Sequence, residues 1–157
     1  MYFLVFVSYR PAFRPGMEKR RAMKTIFIAR RTRREPLSVK QEDIHLQGHA
    51  MECRINAEDP AHHFRPCPGV IEAIHLPGGK GVRIDTAAYN GYEIPPFYDS
   101  MIAKVIVHGR TRQEAIDKMR STLGELIIDG VTTNVDFQYE ILDNEDFQAG
   151  EITTDFI

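Results

Sequence analysis

Arg54 is the residue whose type and setting most clearly invite chemistry. It lies between Glu52 and Asn56 on one side of an alternating stretch, while Met51, Cys53 and Ile55 fall on the other. A guanidinium held on one face of a strand offers a planar fork of donors to a carboxylate, phosphate or ureido oxygen. The same placement suits a salt bridge with Glu52 or another acid, and the spacing leaves both readings open. The segment Pro77-Gly78-Gly79-Lys80-Gly81 has glycines that let backbone donors approach an anion. It lacks the Gly-x-x-x-x-Gly-Lys-Ser/Thr spacing and the following helix of a phosphate loop, so a hairpin turn is expected. His45, His49, His62, His63, His75 and His108 are scattered, with no spacing that would gather a metal site. Glu58 and Asp59 precede Pro60 and read as turn residues rather than as an acid pair. Cys53 and Cys67 form no Cys-x-x-Cys pair, which points to neither a disulfide scaffold nor zinc and makes a reducing, cytosolic setting the simplest reading. No catalytic residue and no metal ligand is assigned.

The elements that must hold these residues follow from periodicity. Ala50 to Asn56 has the alternation of a half-buried strand, which Glu58-Asp59-Pro60 ends because proline removes a backbone donor. Val70 to His75 reads as the next strand, joined through the glycine-rich turn to a strand over Val82 to Asp85. Met101 to Val107 is a mostly apolar run broken by Lys104, the pattern of a more central strand. A helix is expected from Thr111, where Thr111-Arg112-Gln113-Glu114 fits a capping box. Its apolar stripe is Ile116, Met119, Leu123 and Leu126, and Asp129-Gly130 is its expected stop. A second helix should start with Asn134 as cap, turn Val135, Tyr139 and Leu142 inward, and fray through residues 143–146. Two or three helices on an antiparallel sheet make an α+β domain.

The 157 residues suffice for one domain with a core. The apolar run Met1 to Val7 is far shorter than the roughly 20 residues that cross a bilayer. The net charge of -2 hides an asymmetry, for residues 1–34 carry ten Lys or Arg against the single acid Glu18. That leaves ten cations against 21 acids in residues 35–157, which argues against nucleic-acid binding by the main body. The basic segment 1–34 has no sustained period and is broken at Pro11 and Pro15, so it is expected to be disordered or of non-native origin. A basic arm or an Arg-rich transit peptide are the functional readings of the same composition.

Three stretches carry a resemblance. Gly48 to Pro60, Pro95 to Lys104 and Leu126 to Asn134 closely resemble the C-terminal domain of biotin carboxylases, and Pro36-Leu37-Ser38-Val39-Lys40-Gln41 resembles the approach to that domain. The likeness runs from about Glu35 to Phe147, which divides the chain into a segment 1–34 and a domain 35–157. It implies the biotin carboxylase component of acetyl-CoA carboxylase, which uses ATP, magnesium and bicarbonate to carboxylate biotin on a carrier protein for fatty acid synthesis. The Arg54-to-Pro60 form looks more like acyl-CoA carboxylases than pyruvate carboxylase. By the same match, Arg54 takes the place of an arginine that contacts biotin and the carboxylating intermediate, and Arg83 and Asp99 correspond to homodimer contacts. Lys80 stands where a bacterial relative has an aromatic residue.

The family's ATP-grasp domain, with its glycine-rich lid and magnesium-binding glutamates, belongs upstream of Pro36, and residues 1–34 match none of it. The resemblance therefore implies a truncated or frame-shifted piece whose ATP, bicarbonate and magnesium sites lie elsewhere, inactive alone. It would partner the carrier protein, a second copy or the missing ATP-grasp part. The rival expectations are a non-catalytic module that pairs with intact carboxylase, and the same domain of a propionyl-CoA or pyruvate carboxylase.

Overall fold

The computed structural model describes residues 47–153 and Phe156. The expectations placed on segment 1–34, on Pro36 to Gln41 and on His45 lie outside the described residues. Alternation becomes structure in β1 (His49–Asn56), which pairs antiparallel with β6 (Met101–Gly109), and β6 pairs in turn with β5 (Val82–Thr86). Met51 faces Val107, Cys53 faces Val105 and Ile55 faces Ala103, all buried, while Val82 and Ile84 extend this apolar face onto β5. The pleat sends Glu52, Arg54, Lys104 and Ile106 to the opposite face with Arg83 and Asp85. A register shift between Ile55 and Asn56 bends the end of β1 just beyond Arg54.

The apolar face is closed by α1 (Arg112–Glu125), which buries Ala115, Ile116, Met119 and Leu123. Thr111 caps it, its hydroxyl accepting from the Glu114 amide at 3.1 Å. The reciprocal half of the box is displaced by one residue, since the Glu114 carboxylate accepts from the Arg110 amide at 3.0 Å. Next come α2 (Val135–Asp143) and α3 (Glu145–Ala149), whose Leu142 and Phe147 are among the fully buried side chains. Arg112 reaches from α1 to the Phe147 carbonyl and ring, and Arg120 pairs with Asp143 at 2.7 Å, so α1 is tied to both later helices. The α+β expectation of an antiparallel sheet with helices on it is met, with three α-helices among the described residues.

Several local expectations are corrected. The turn before β5 is not a hairpin, because β4 (Ala73–His75) pairs with β7 (Ile127–Asp129) rather than with β5. Pro77 to Gly81 carries the chain from one sheet to another, and only tertiary pairing could reveal that. Val70 lies outside β4 and makes a lone bridge to Glu93. α1 stops at Glu125, not at Asp129, because Leu126 turns extended and the next residues pair with β4. Gly130 has φ +98°, and a Cβ there would collide with the Val70 carbonyl and Glu72, so the glycine ends β7 rather than a helix. Residues 143–146 do not fray. Asn144 accepts from the Phe147 amide at 3.1 Å and caps α3, whose Phe147 docks in the core.

β2 (Glu58–Asp59) pairs with β3 (Arg65–Pro66), and between them the chain makes a short 3-10 turn with His63 and Phe64 in left-handed conformation.

Candidate functional site

Arg54 sits at the end of β1, on the face away from α1. Its backbone is held by Asn134, a buried residue with 1% exposure. The Asn134 side chain donates to the Arg54 carbonyl at 3.1 Å and accepts from the Asn56 amide at 2.9 Å, while the Asn134 amide donates to the Asn56 carbonyl at 3.2 Å. One side-chain amide thus stands in for a missing neighbour strand. Asn134 occupies the cap position of α2, yet its side chain makes no capping bond because both its polar atoms serve β1.

A second set of bonds ties β1 to the segment before β6. The Glu58 carboxylate accepts from Ser100 at 2.8 Å and from Asn56 at 3.2 Å, and the Ala57 amide donates to the Ser100 carbonyl at 2.8 Å. Asp99 is fixed next to it, accepting from the Met101 amide at 3.1 Å. Its other carboxylate oxygen lies 3.5 Å from Arg54 Nη2, the two side chains being 31% and 46% exposed for Arg54 and Asp99. At that separation the charges attract without the 2.7–2.9 Å contact of a charge-assisted hydrogen bond. The acid beside Arg54 is therefore Asp99 and not Glu52. Arg54 Nε is buried with no hydrogen-bond partner. A buried guanidinium nitrogen without a partner is costly, and Arg112 Nε and Arg120 Nε share that state, so it does not by itself mark a ligand site.

The other sequence candidates separate. Arg83 is satisfied within β5, where Nε and Nη2 donate to the two Asp85 oxygens at 2.8 and 2.6 Å. This bond, followed by the charge attraction, lifts the guanidinium further and holds the Asp85 carboxyl below its usual range. Asp59 caps the turn at Pro60 and meets His62 at 2.6 Å, a contact that lowers its carboxyl pKa. Asp59 caps the turn as expected, whereas Glu58 departs from the turn reading: it lies in β2 and its carboxylate accepts from Ser100, far along the chain. Lys80 is exposed in a turn that leads into a strand, so its backbone forms no helix-opening phosphate cradle. Among the described residues no group of three or more His, Cys, Asp or Glu could hold a metal ion, and no helix is long and apolar enough to cross a membrane. Sequence reasoning missed Asn134 as the clamp on Arg54, and also the position of Lys104 directly across from Arg54. The first had a signal in the buried-polar placement of an Asn just before a helix, although the sequence could not say which backbone it would meet.

An antiparallel sheet backed by helices on one face, with Arg54 on the other, makes an α+β domain. The chain belongs to the biotin carboxylase C-terminal domain family, whose profile matches residues 52–157. It is 54% identical over 121 residues to biotin carboxylase 1 of Bacillus subtilis, covering 77% of this chain and 27% of that protein. It is equally identical, over 123 residues, to a pyruvate carboxylase subunit of Methanothermobacter thermautotrophicus, covering 78% and 25%. In structure it is similar to the biotin carboxylase domain of the Hydrogenobacter thermophilus 2-oxoglutarate carboxylase, solved as a dimer with MgADP, ADP and bicarbonate. That match has a TM-score of 0.78 at 45% identity and covers 81% of this chain and 28% of that one. The chain spans about a quarter of the length of the curated relatives it matches.

Proposed function

We propose that residues 35–157 form the C-terminal domain of a biotin carboxylase and that Arg54 binds the ureido group of biotin and the anion that carboxylates it. The observation that supports this reading is the Arg54 guanidinium, half-buried, its backbone clamped by Asn134, its Nε without a hydrogen-bond partner and its Nη2 only 3.5 Å from Asp99. Its planar fork fits a ureido oxygen or a carboxylate, and a ligand oxygen at hydrogen-bond distance would outcompete the 3.5 Å attraction to Asp99. Bound biotin supplies the nucleophilic ureido nitrogen. Arg54 orients that ring and stabilises negative charge as it develops on the ureido oxygen.

ATP, magnesium and bicarbonate are assigned to the part of the parent enzyme that this chain does not span, and the chain alone is inactive in this reading. Its partners are the biotin carrier protein, that ATP-grasp part and a second copy, with Arg83 and Asp99 at the homodimer contact, in a cytoplasmic setting. The Arg54-to-Pro60 stretch favours acetyl-CoA carboxylase as the parent. A biotin-loaded carrier tested with acetyl-CoA, pyruvate and 2-oxoglutarate transferases distinguishes this acceptor from those named for the relatives.

Arg54 itself is tested in a full-length biotin carboxylase carrying this domain. Arg54→Ala should slow biotin carboxylation about tenfold to over a hundredfold, the equivalent of roughly 1.5 to 3 kcal/mol for one charge-assisted hydrogen bond. Arg54→Lys should recover little, because a point ammonium cannot reproduce a bidentate fork. Normal turnover by a folded Arg54→Ala enzyme would return Arg54 to a structural ion pair with Asp99.

A further inference from the structure

β1 and β6 fall out of step by one residue just beyond Arg54. Ile55 pairs with Ala103, yet Asn56 pairs with Met101, so Ile102 is left over in β6, and Ile102 and Ala103 are buried in succession. This is a β-bulge, which bends a strand and re-aims the side chains beyond it. In unbroken register Ala57 would face Met101. The bulge moves the segment before β6 one residue along, so that the Ala57 amide meets the Ser100 carbonyl and Asp99 comes beside Arg54. Two side chains hold the offset. Thr86 of β5 donates its hydroxyl to the Ile102 carbonyl at 2.7 Å. Glu58 Oε1 accepts from the Ser100 hydroxyl at 2.8 Å and from the Asn56 side-chain amide at 3.2 Å, which bridges the end of β1 to the residue next to Asp99. One Asp99 oxygen is taken by the Met101 amide, and the other stops 3.5 Å from Arg54 Nη2, although a charge-assisted hydrogen bond closes to about 2.7–2.9 Å.

We propose that Glu58 is a positioning residue for Arg54: by holding Ser100 it keeps Asp99 near enough to orient the guanidinium and too far away to capture it. The proposal rests on the ureido assignment given above and deepens it. Opposite charges attract, so an Asp99 released from this tether closes on Arg54 and forms the hydrogen bond that the bulged geometry denies it. Every donor then spent on Asp99 is one that a ligand must win back before it binds. Glu58 acts through Ser100 and Asp99, without touching the ligand.

The full 157-residue chain serves for the test, with two readouts. Rotation of the Arg54 guanidinium, followed by NMR as exchange between its Nη groups, slows when an acid grips it. Biotin methyl ester, which bears the ureido ring but no carboxylate, reports binding. Glu58→Leu and Ser100→Ala break the tether from its two ends. Each should slow the rotation and weaken biotin methyl ester binding about fivefold, the order of one net hydrogen bond gained by the competing acid. The double variant should lose no more than either alone, because both remove the same bond. Glu58→Gln keeps the accepting oxygen without the charge and should behave as the unaltered chain. Adding Asp99→Asn to Glu58→Leu should restore both rotation and affinity, since a neutral amide has no charge with which to close on Arg54, whereas general damage to the fold would persist. Rotation that is unchanged or faster in both Glu58→Leu and Ser100→Ala would overturn the proposal. So would a slowed rotation that Asp99→Asn fails to relieve. If rotation responds as expected while biotin methyl ester does not bind even the unaltered chain, the tether stands and the assignment of Arg54 to the ureido group falls.

Discussion

Arg54 and Cys53 are neighbours in sequence and opposites in chemistry, because the pleat of β1 sends one outward and the other into the core. Arg54 keeps a charge at the surface with donors unsatisfied. Cys53 is 1% exposed, and burial, with a smaller contribution from the Glu52 charge, pushes its thiol up to about 12. The ordinary value is 9.0, so as pH rises the unfolded chain loses this proton first. The raised folded pKa therefore gives stability that is complete below pH 9.0 and declines as pH climbs toward 12. Urea midpoints measured across that alkaline range should fall, and Cys53→Ala should flatten this part of the profile while lowering stability uniformly. An unaltered alkaline slope in Cys53→Ala would assign the decline to other groups. The same burial predicts that a thiol reagent labels half-buried Cys67 well before Cys53 in the folded protein.

At the scale of elements, the chain is organised by joints rather than by isolated helices and strands. Asn134 is the clearest of these, since one buried amide links the start of α2 to the end of β1 on both sides of Ile55. Asn134→Ala would orphan the Arg54 carbonyl and the Asn56 amide together. It should cost roughly 2 to 6 kcal/mol, as each buried unsatisfied group is worth about 1 to 3. Asn134→Asp keeps the acceptor for the Asn56 amide but faces the Arg54 carbonyl with a second oxygen, so it should fall between the two. Urea unfolding with an unchanged m-value is the measurement, and wild-type stability in Asn134→Ala would mean that water replaces the amide. The joint also fixes the Arg54 backbone at the end of β1, so its side chain leaves from a set position.

For the molecule as a whole, the proposed ureido site at Arg54 is separate from the steps that handle a nucleotide. Phosphoryl transfer depends on positioning and on metal and cationic groups around the phosphates, and the described residues offer no metal cluster for it. The purified chain given ATP, magnesium and bicarbonate should release no ADP above background, with or without biotin. ADP release that needs both bicarbonate and biotin would overturn the assignment of those steps to a separate part. The proposed boundary at residue 35 has its own test. Removing residues 1–34, with ten basic side chains and little patterned apolar surface, should leave the melting temperature unchanged. A large fall would show that the segment contributes to the core.

Alternation in β1 and β6, the Thr111 cap and the apolar stripe of α1 were legible in the sequence because each depends on residues close along the chain. The long matched stretches around Arg54, Asp99 and Asn134 likewise pointed to the family, and its profile covers them from residue 52 onward. Tertiary structure alone decided which strand Pro77 to Gly81 leads away from, since the partner of β4 lies beyond α1 in β7. It also ended α1 at Glu125, because the β-branched Ile127 and Ile128 pair with β4 instead of continuing the helix. Arg54's acid partner was open among several carboxylates, and the answer, Asp99, is 45 residues away in the chain. Asn134's clamp and the Arg54–Lys104 opposition are of the same kind. Periodicity assigns a side chain to a face, but a contact across that face needs the register of two distant segments, which no local pattern contains.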